Sequence, residues 1–138
     1  YVSIFKNSKI ISVSRQSEKG PVFTATFELD GQKFMALNGG PHFTFNEAIS
    51  MFVNCETQQE VDELWDKLSD GGEIQQCGWL KDKYGLSWQI IPVILGTLMQ
   101  DKDHEKSKRV INAMMQMKKI DIAGLQRAYD NQSSFDKN

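Results

Sequence analysis

Residues 49–92 read ISMFVNCETQQEVDELWDKLSDGGEIQQCGWLKDKYGLSWQIIP, and their reading decides the fold. Ile49, Met51 and Val53 alternate with Ser50, Phe52 and Asn54, the two-residue period of a short strand. Thr57 stands three residues before Glu60, the spacing of a helix capping box. Val61, Leu64, Trp65 and Leu68 then recur at helical spacing and give that helix one apolar face. Gly71 and Gly72 end it, because glycine takes the left-handed conformation of a helix C-terminus at no steric cost. Two runs with strand character flank Lys83-Tyr84-Gly85, a three-residue connection ending in glycine that suits a bulged hairpin. That loop length predicts a register: Asp82 opposite Leu86, Lys81 opposite Ser87, Leu80 opposite Trp88 and Trp79 opposite Gln89. Side chains alternate faces along a strand, so Leu80 and Trp88 share one face and Trp79 and Gln89 the other. The unit is strand, helix, then three strands.

Upstream, Tyr1–Phe5 reads as the end of a helix, and Lys9–Arg15, Val22–Leu29 and Gln32–Leu37 as strands, with a turn at Asp30-Gly31. Tyr1, Ile4, Asn7-Ser8 and Ile10 fall on Trp65, Leu68, Gly71-Gly72 and Ile74. The run from Gly31 to Leu37 falls on that from Gly85 to Ile91. The pattern of element types predicts an internal duplication of a βαβββ unit, and about 16 residues are expected before Tyr1 to complete the first copy. The expected single domain is then a first module over 1–38, lacking its first strand and most of its helix, a second over 48–92, and a helical extension over 93–138. Ser17–Gly20 reads as a polar loop tip. The linker from Asn38 to Asn46 opens on turn residues and carries His42, Phe43 and Phe45. The two phenylalanines either plug the seam between modules or, with His42, close the mouth of a cavity.

Downstream of Pro92 the chain turns helical at Val93, Leu95 and Leu98. Asp101–Arg109 reads as a solvated charged stretch. Val110, Ile111, Met114, Met115 and Met117 form an amphipathic run, and Asp121 an N-cap for a last helix with Ile122, Leu125 and Tyr129 on one face. The methionines read as packing against a sheet or a second subunit, or as an adaptable binding surface.

A chain of 138 residues with 40% hydrophobic and 25% charged residues has ordinary globular composition. The net charge of −2, with no basic stripe, argues against a nucleic-acid partner. No apolar run approaches the roughly 20 residues a membrane span needs. Cys55 and Cys77 are too few for a disulfide framework and read as reduced, half-buried thiols of a cytoplasmic protein. Cys77 has no histidine near it in sequence to activate it as a nucleophile.

The paired βαβββ units, the run Gly-Trp-Leu-x-Asp-x-x-Gly-x-Ser-Trp-Gln-Ile at 78–90, Ala-Leu-Asn-Gly-Gly-Pro at 36–41 and Met-Lys-Lys-Ile-Asp-Ile at 117–122 resemble the PhnB-like branch of the vicinal-oxygen-chelate superfamily. That superfamily includes glyoxalase, bleomycin-resistance proteins and extradiol dioxygenases, and the branch is often labelled 3-demethylubiquinone-9 3-methyltransferase. The resemblance implies an α+β fold: two βαβββ modules forming a curled mixed sheet around a cavity, with added C-terminal helices. In metal-dependent members the last strand of each module supplies a glutamate, at positions that are Met35 and Gln89 here. The first strand supplies a histidine or acid, where the second copy offers Ala48 and Ser50. A divalent ion needs three or four donors with charge to offset its dehydration, which a thioether, a neutral amide and a serine do not provide. For methyl transfer, the usual cofactor site is a glycine-rich turn between a strand and a helix, whereas Gly39-Gly40 has no helix signal behind it.

The expected protein is a glyoxalase-like small-molecule binder with no metal and no cofactor, working as a homodimer. Its ligand pocket holds Met35 as an adaptable filler, Trp79 as a flat apolar wall, Gln89 as a polar handle, and Ser50. The alternatives are an enzyme of the same superfamily, either a metal-dependent lyase or dioxygenase or the methyltransferase of the label, and a structural dimer module.

Overall fold

The structure, a computed structural model, describes residues 1–132; the last six residues of the expected helical extension lie outside the described residues. The chain is α+β and divides into two units, residues 1–44 and 45–138. Its strands form two sheets, one of three and one of four strands, neither closed into a barrel.

The first unit is an antiparallel sheet in the order β1 (Lys9–Arg15), β2 (Val22–Leu29), β3 (Gln32–Leu37). Asp30 and Gly31 both take positive φ, 48° and 80°, so the β2–β3 hairpin turns on two left-handed residues and matches the right-handed twist of its strands. Phe27 and Phe34 face each other across that hairpin, their rings stacked at 5.8 Å. Tyr1–Phe5 is a turn. The amides of Ile4 and Phe5 close on the Tyr1 carbonyl at 2.9 and 3.2 Å, and Asn7 at φ 49° then bends the chain away.

The second unit runs β4 (Ser50–Cys55), α1 (Gln58–Ser69), β5 (Glu73–Ile74), β6 (Trp79–Lys81), β7 (Ser87–Pro92), then α2 (Val93–Met99), α3 (His104–Met115) and α4 (Ile122–Tyr129). Its sheet has the order β4-β7-β6-β5, with β4 parallel to β7. Thr57 caps α1, its hydroxyl accepting from the Glu60 amide at 3.2 Å. The Glu60 carboxylate returns to the Glu56 amide, one residue before the usual capping-box partner. At the other end Asp70 and Gly71 (φ 74°) form a type II turn closed by the Gly72 amide on the Ser69 carbonyl at 2.8 Å.

The β6–β7 hairpin has the expected register, with Trp79 opposite Gln89, Leu80 opposite Trp88 and Lys81 opposite Ser87. Buried Asp82 organises its loop. One carboxylate oxygen accepts from the Tyr84 and Leu86 amides at 2.9 and 3.1 Å, and the other accepts from the Trp88 indole at 2.9 Å. Leu80, Trp88 and Ile90 are buried on one face of the sheet, and the apolar side of α1, with Val61, Trp65 and Leu68, packs on β4, β6 and β7.

The C-terminal helices have their own core of Ile91, Leu95, Leu98, Val110, Ile120 and Leu125, with Met114, Met117 and Tyr129 packed against it. Within the charged stretch 101–109, Asp103 caps α3 by accepting from the Glu105 and Lys106 amides, and the stretch supplies the helix's first half. Ser107 and Val110 are buried, and the stretch is not wholly solvated: part-buried Arg109 donates to the Ala128 and Tyr129 carbonyls at the end of α4. Asp121 occupies the N-cap position of α4 without a capping hydrogen bond. Gln58 of α1 takes that role, its side-chain oxygen accepting from the Ile122 amide at 2.8 Å and its nitrogen donating to the Ile120 carbonyl at 3.0 Å. The amides of Cys77 and Gly78 donate to the Met117 and Lys118 carbonyls, both at 2.8 Å, which ties the α3–α4 connection to the sheet.

Candidate functional site

Strand pairing lays two rows of side chains across the second sheet. One row is Ser50, Ser87, Lys81 and Glu73; the next is Phe52, Gln89 and Trp79. Alternation puts both rows on one face, opposite the one that carries Leu80 and Trp88. The structure therefore brings together three residues singled out in the sequence, Ser50, Trp79 and Gln89. The amide of Gln89 donates to the Ser50 hydroxyl at 2.9 Å. Its strand neighbours are Trp79, half-buried, and Phe52, which is 56% exposed.

Ser87 is 0% exposed, and its hydroxyl has no hydrogen-bond partner among the described residues. Such an orphan costs stability, since desolvation is not offset by a bond. Beside it on β6, the Lys81 ammonium pairs with the Glu47 carboxylate. That hydrogen-bonded pair holds Glu47 below the usual carboxylate range and Lys81 above its own. The cation is thus paired, and the neutral polar groups Ser50, Ser87 and Gln89 lie beside it.

Of the other expected pocket residues, Met35 is on β3 of the first unit, opposite Thr26 and 73% exposed. His42 and Phe43 belong to the first unit and Phe45 to the second. All three are exposed, Phe43 to 93% and Phe45 to 60%. Residues 38–49 form no strand or helix. Ala48 lies in a turn before β4, its amide donating to the Asn46 side chain at 2.9 Å, and not on the strand beside Ser50.

A resident divalent ion, as in metal-dependent glyoxalase-like proteins, does not fit these donors. Ser50, Ser87 and Gln89 supply two hydroxyls and an amide, neutral donors that do not offset the cost of stripping the ion of its water. Among the described residues no three His, Cys, Asp or Glu side chains converge as a metal-binding group. Neither cysteine offers chemistry at the face. Both are free; Cys55 is fully buried, and burial pushes its thiol from 9.0 up to about 11.

Sequence reasoning missed Phe52 and Ser87. The hairpin register already placed Ser87 opposite Lys81, and one more step of alternation puts it beside Gln89. The parallel pairing of β4 with β7, which brings Phe52 to Gln89, has no local signal.

The family model described as 3-demethylubiquinone-9 3-methyltransferase matches residues 1–91. Among solved structures the chain is similar to the PhnB protein from Bacillus cereus, with 40% identity over 67% of this chain and 85% of that one and a TM-score of 0.63. It is also similar to a protein from Staphylococcus aureus, with 31% identity, 64% and 77% of the two chains covered, and a TM-score of 0.29. For protein PA1353 from Pseudomonas aeruginosa the values are 16% identity, 59% and 77% coverage, and a TM-score of 0.47. No curated protein matches the chain.

Proposed function

The chain belongs to the PhnB-like 3-demethylubiquinone-9 3-methyltransferase family, and on that premise we propose that it is a small-molecule-binding protein without a resident divalent metal. Its ligand lies on the Ser50–Trp79–Gln89 face of the second sheet. The observation that carries this reading is the Gln89 amide, hydrogen-bonded to Ser50 and set between Phe52 and Trp79. A few placed polar groups among apolar walls are what small-molecule recognition requires.

The family description supplies a second reading, methyl transfer to a quinone-type substrate. The described residues lack the glycine-rich strand-to-helix turn of the usual cofactor site: β4 enters α1 through Glu56-Thr57, and β7 runs directly into α2. Gly39 and Gly40 lie in a linker that enters no helix. The binding reading therefore ranks first.

The protein is further proposed to act as a homodimer. β1 and β3 are both edge strands, and Ile10, Ile11, Val13 and Leu37 on them are exposed, so a second copy has apolar surface to cover. The helical run 110–117 is a poorer reason than the sequence suggests, since Val110, Met114 and Met117 are already packed in the C-terminal core. Among the described residues no helix is long and apolar enough to cross a membrane. The free thiols suit a reducing compartment, and we place the protein in the cytoplasm. A thermal-shift screen of neutral organic compounds and divalent ions tests the main reading. An organic compound should stabilise the protein and lose its effect in Gln89→Ala; stabilisation by divalent ions alone would overturn the reading.

A further inference from the structure

The ligand face carries a lysine that the chain itself neutralises. Lys81 stands on β6 opposite Ser87 of β7, so Gln89, two residues further along β7, is its diagonal neighbour on the same face. Diagonal neighbours in an antiparallel pair lie about 7–8 Å apart, within reach of a long side chain. The Lys81 ammonium is instead held by Glu47, three residues before Ser50. β7 lies between β4 and β6, so a residue leading into β4 that pairs with one on β6 reaches across the strand that carries Gln89. The Gln75 side chain adds a hydrogen bond to Glu47, and Glu73, opposite Lys81 on β5, adds a further attraction on the lysine. Both side chains of the pair keep solvent access, 27% for Lys81 and 49% for Glu47, so a solute can reach them and the pair contributes little to stability.

We propose that Glu47 decides the charge class of the ligand: by occupying Lys81 it makes the face take neutral molecules and turn away anions of the same shape. The proposal rests on the small-molecule reading above and supplies the reason its ligand is uncharged. With Glu47 in place, a carboxylate laid against Gln89 meets a like charge and a lysine already paired, whereas a carboxamide meets no repulsion. Removing the Glu47 charge alone leaves an accessible lysine beside Gln89, able to pair with an incoming anion.

The probe is benzoate, with benzamide as its neutral match, titrated against the 138-residue chain while the Gln89 side-chain amide is followed by NMR. Glu47→Gln should bind benzoate at least about fivefold more tightly than the native chain does, the effect of one exposed charge interaction on an affinity. Benzamide should not share that gain. Adding Lys81→Gln to Glu47→Gln should return benzoate to its native affinity, and about 0.5 M NaCl should do the same by screening. Glu73→Gln alone should bind benzoate no better than the native chain. Because the pair is exposed, Glu47→Gln should keep the fold, and Glu47→Ala gives the same test if it does not. No benzoate binding by the Glu47 variants, equal binding by the native chain, or a gain that benzamide or Glu73→Gln shares or that survives the loss of Lys81, would each overturn the proposal. None of these outcomes touches the parent reading, which the neutral-compound screen with Gln89→Ala judges separately.

Discussion

Replacing Trp88 tests the hairpin register that sets Trp79 beside Gln89. Trp88 is 4% exposed, and its indole donates at 2.9 Å to Asp82, a buried carboxylate that also holds the Tyr84 and Leu86 amides. Trp88→Ala removes the ring from the α1 side of the sheet and takes one donor from that carboxylate. Truncation of a buried large aromatic costs about 3–5 kcal/mol. Trp88→Phe separates the two contributions: most of the apolar volume stays and the charge-assisted hydrogen bond goes, for an expected loss of about 1.5–3 kcal/mol. Urea unfolding with an unchanged m-value measures both, and the Phe variant still reports if the Ala variant does not fold. A double-mutant cycle between Trp88→Phe and Asp82→Asn should show coupling of about 0.5–3 kcal/mol. A loss below about 1 kcal/mol for Trp88→Ala would mean an exposed ring and a different register. Coupling indistinguishable from zero would remove Asp82 from the account.

Gly78→Ala should destabilise the second unit by more than about 1–2 kcal/mol, the penalty of left-handed backbone alone, because a Cβ at φ 82° would also lie 2.8 Å from Ile91 Cδ1 and 3.0 Å from the Ile90 carbonyl. Gln58→Ala should cost about 1–2 kcal/mol, from bonds of about 1 kcal/mol each, and should speed hydrogen exchange at Ile122 before the rest of α4. Iodoacetamide at pH 8 should modify half-buried Cys77 and spare Cys55, whose buried thiol is held up to about 11. With the folded value raised above 9.0, the Cys55 thiol contributes stability fully below pH 9 that is lost as pH rises towards 11. Cys55→Ala should flatten that part of the denaturation profile, and an unchanged slope would contradict it.

The parts of the fold carried by local signals were legible in the sequence. The three-residue loop ending in Gly85 set the register of Trp79 and Leu80, Thr57 and Glu60 set the start of α1, and Asp30-Gly31 set a tight hairpin. The features missed depend on partners distant in sequence. The parallel seating of β4 on β7 is invisible to periodicity, and with it the neighbourhood of Phe52 and the place of Ser50 beside Ser87. Asp121 looked like the cap of α4, yet Gln58, 64 residues from Ile122, satisfies its first amide. The charges of 101–109 hid the start of α3, because a charged run without apolar periodicity reads as a solvated stretch until the capping role of Asp103 is seen. For the site, residue types and alternation located Gln89 and Trp79, whereas the burial of Ser87 is a tertiary fact that no local pattern carries.

The central claim is that the Ser50–Trp79–Gln89 face recognises an uncharged organic molecule and no divalent ion. Side-chain amide and indole NMR signals of Gln89 and Trp79 test it most directly, followed in one sample of the 138-residue chain through a titration with Mn²⁺ and a second with the neutral compound that stabilises the protein most in the thermal-shift screen. The account predicts that equimolar paramagnetic Mn²⁺ leaves both signals at full intensity, while that compound shifts them together and spares the buried indole of Trp65. Selective broadening of the Gln89 and Trp79 signals by Mn²⁺, with no response to the compound, would contradict it.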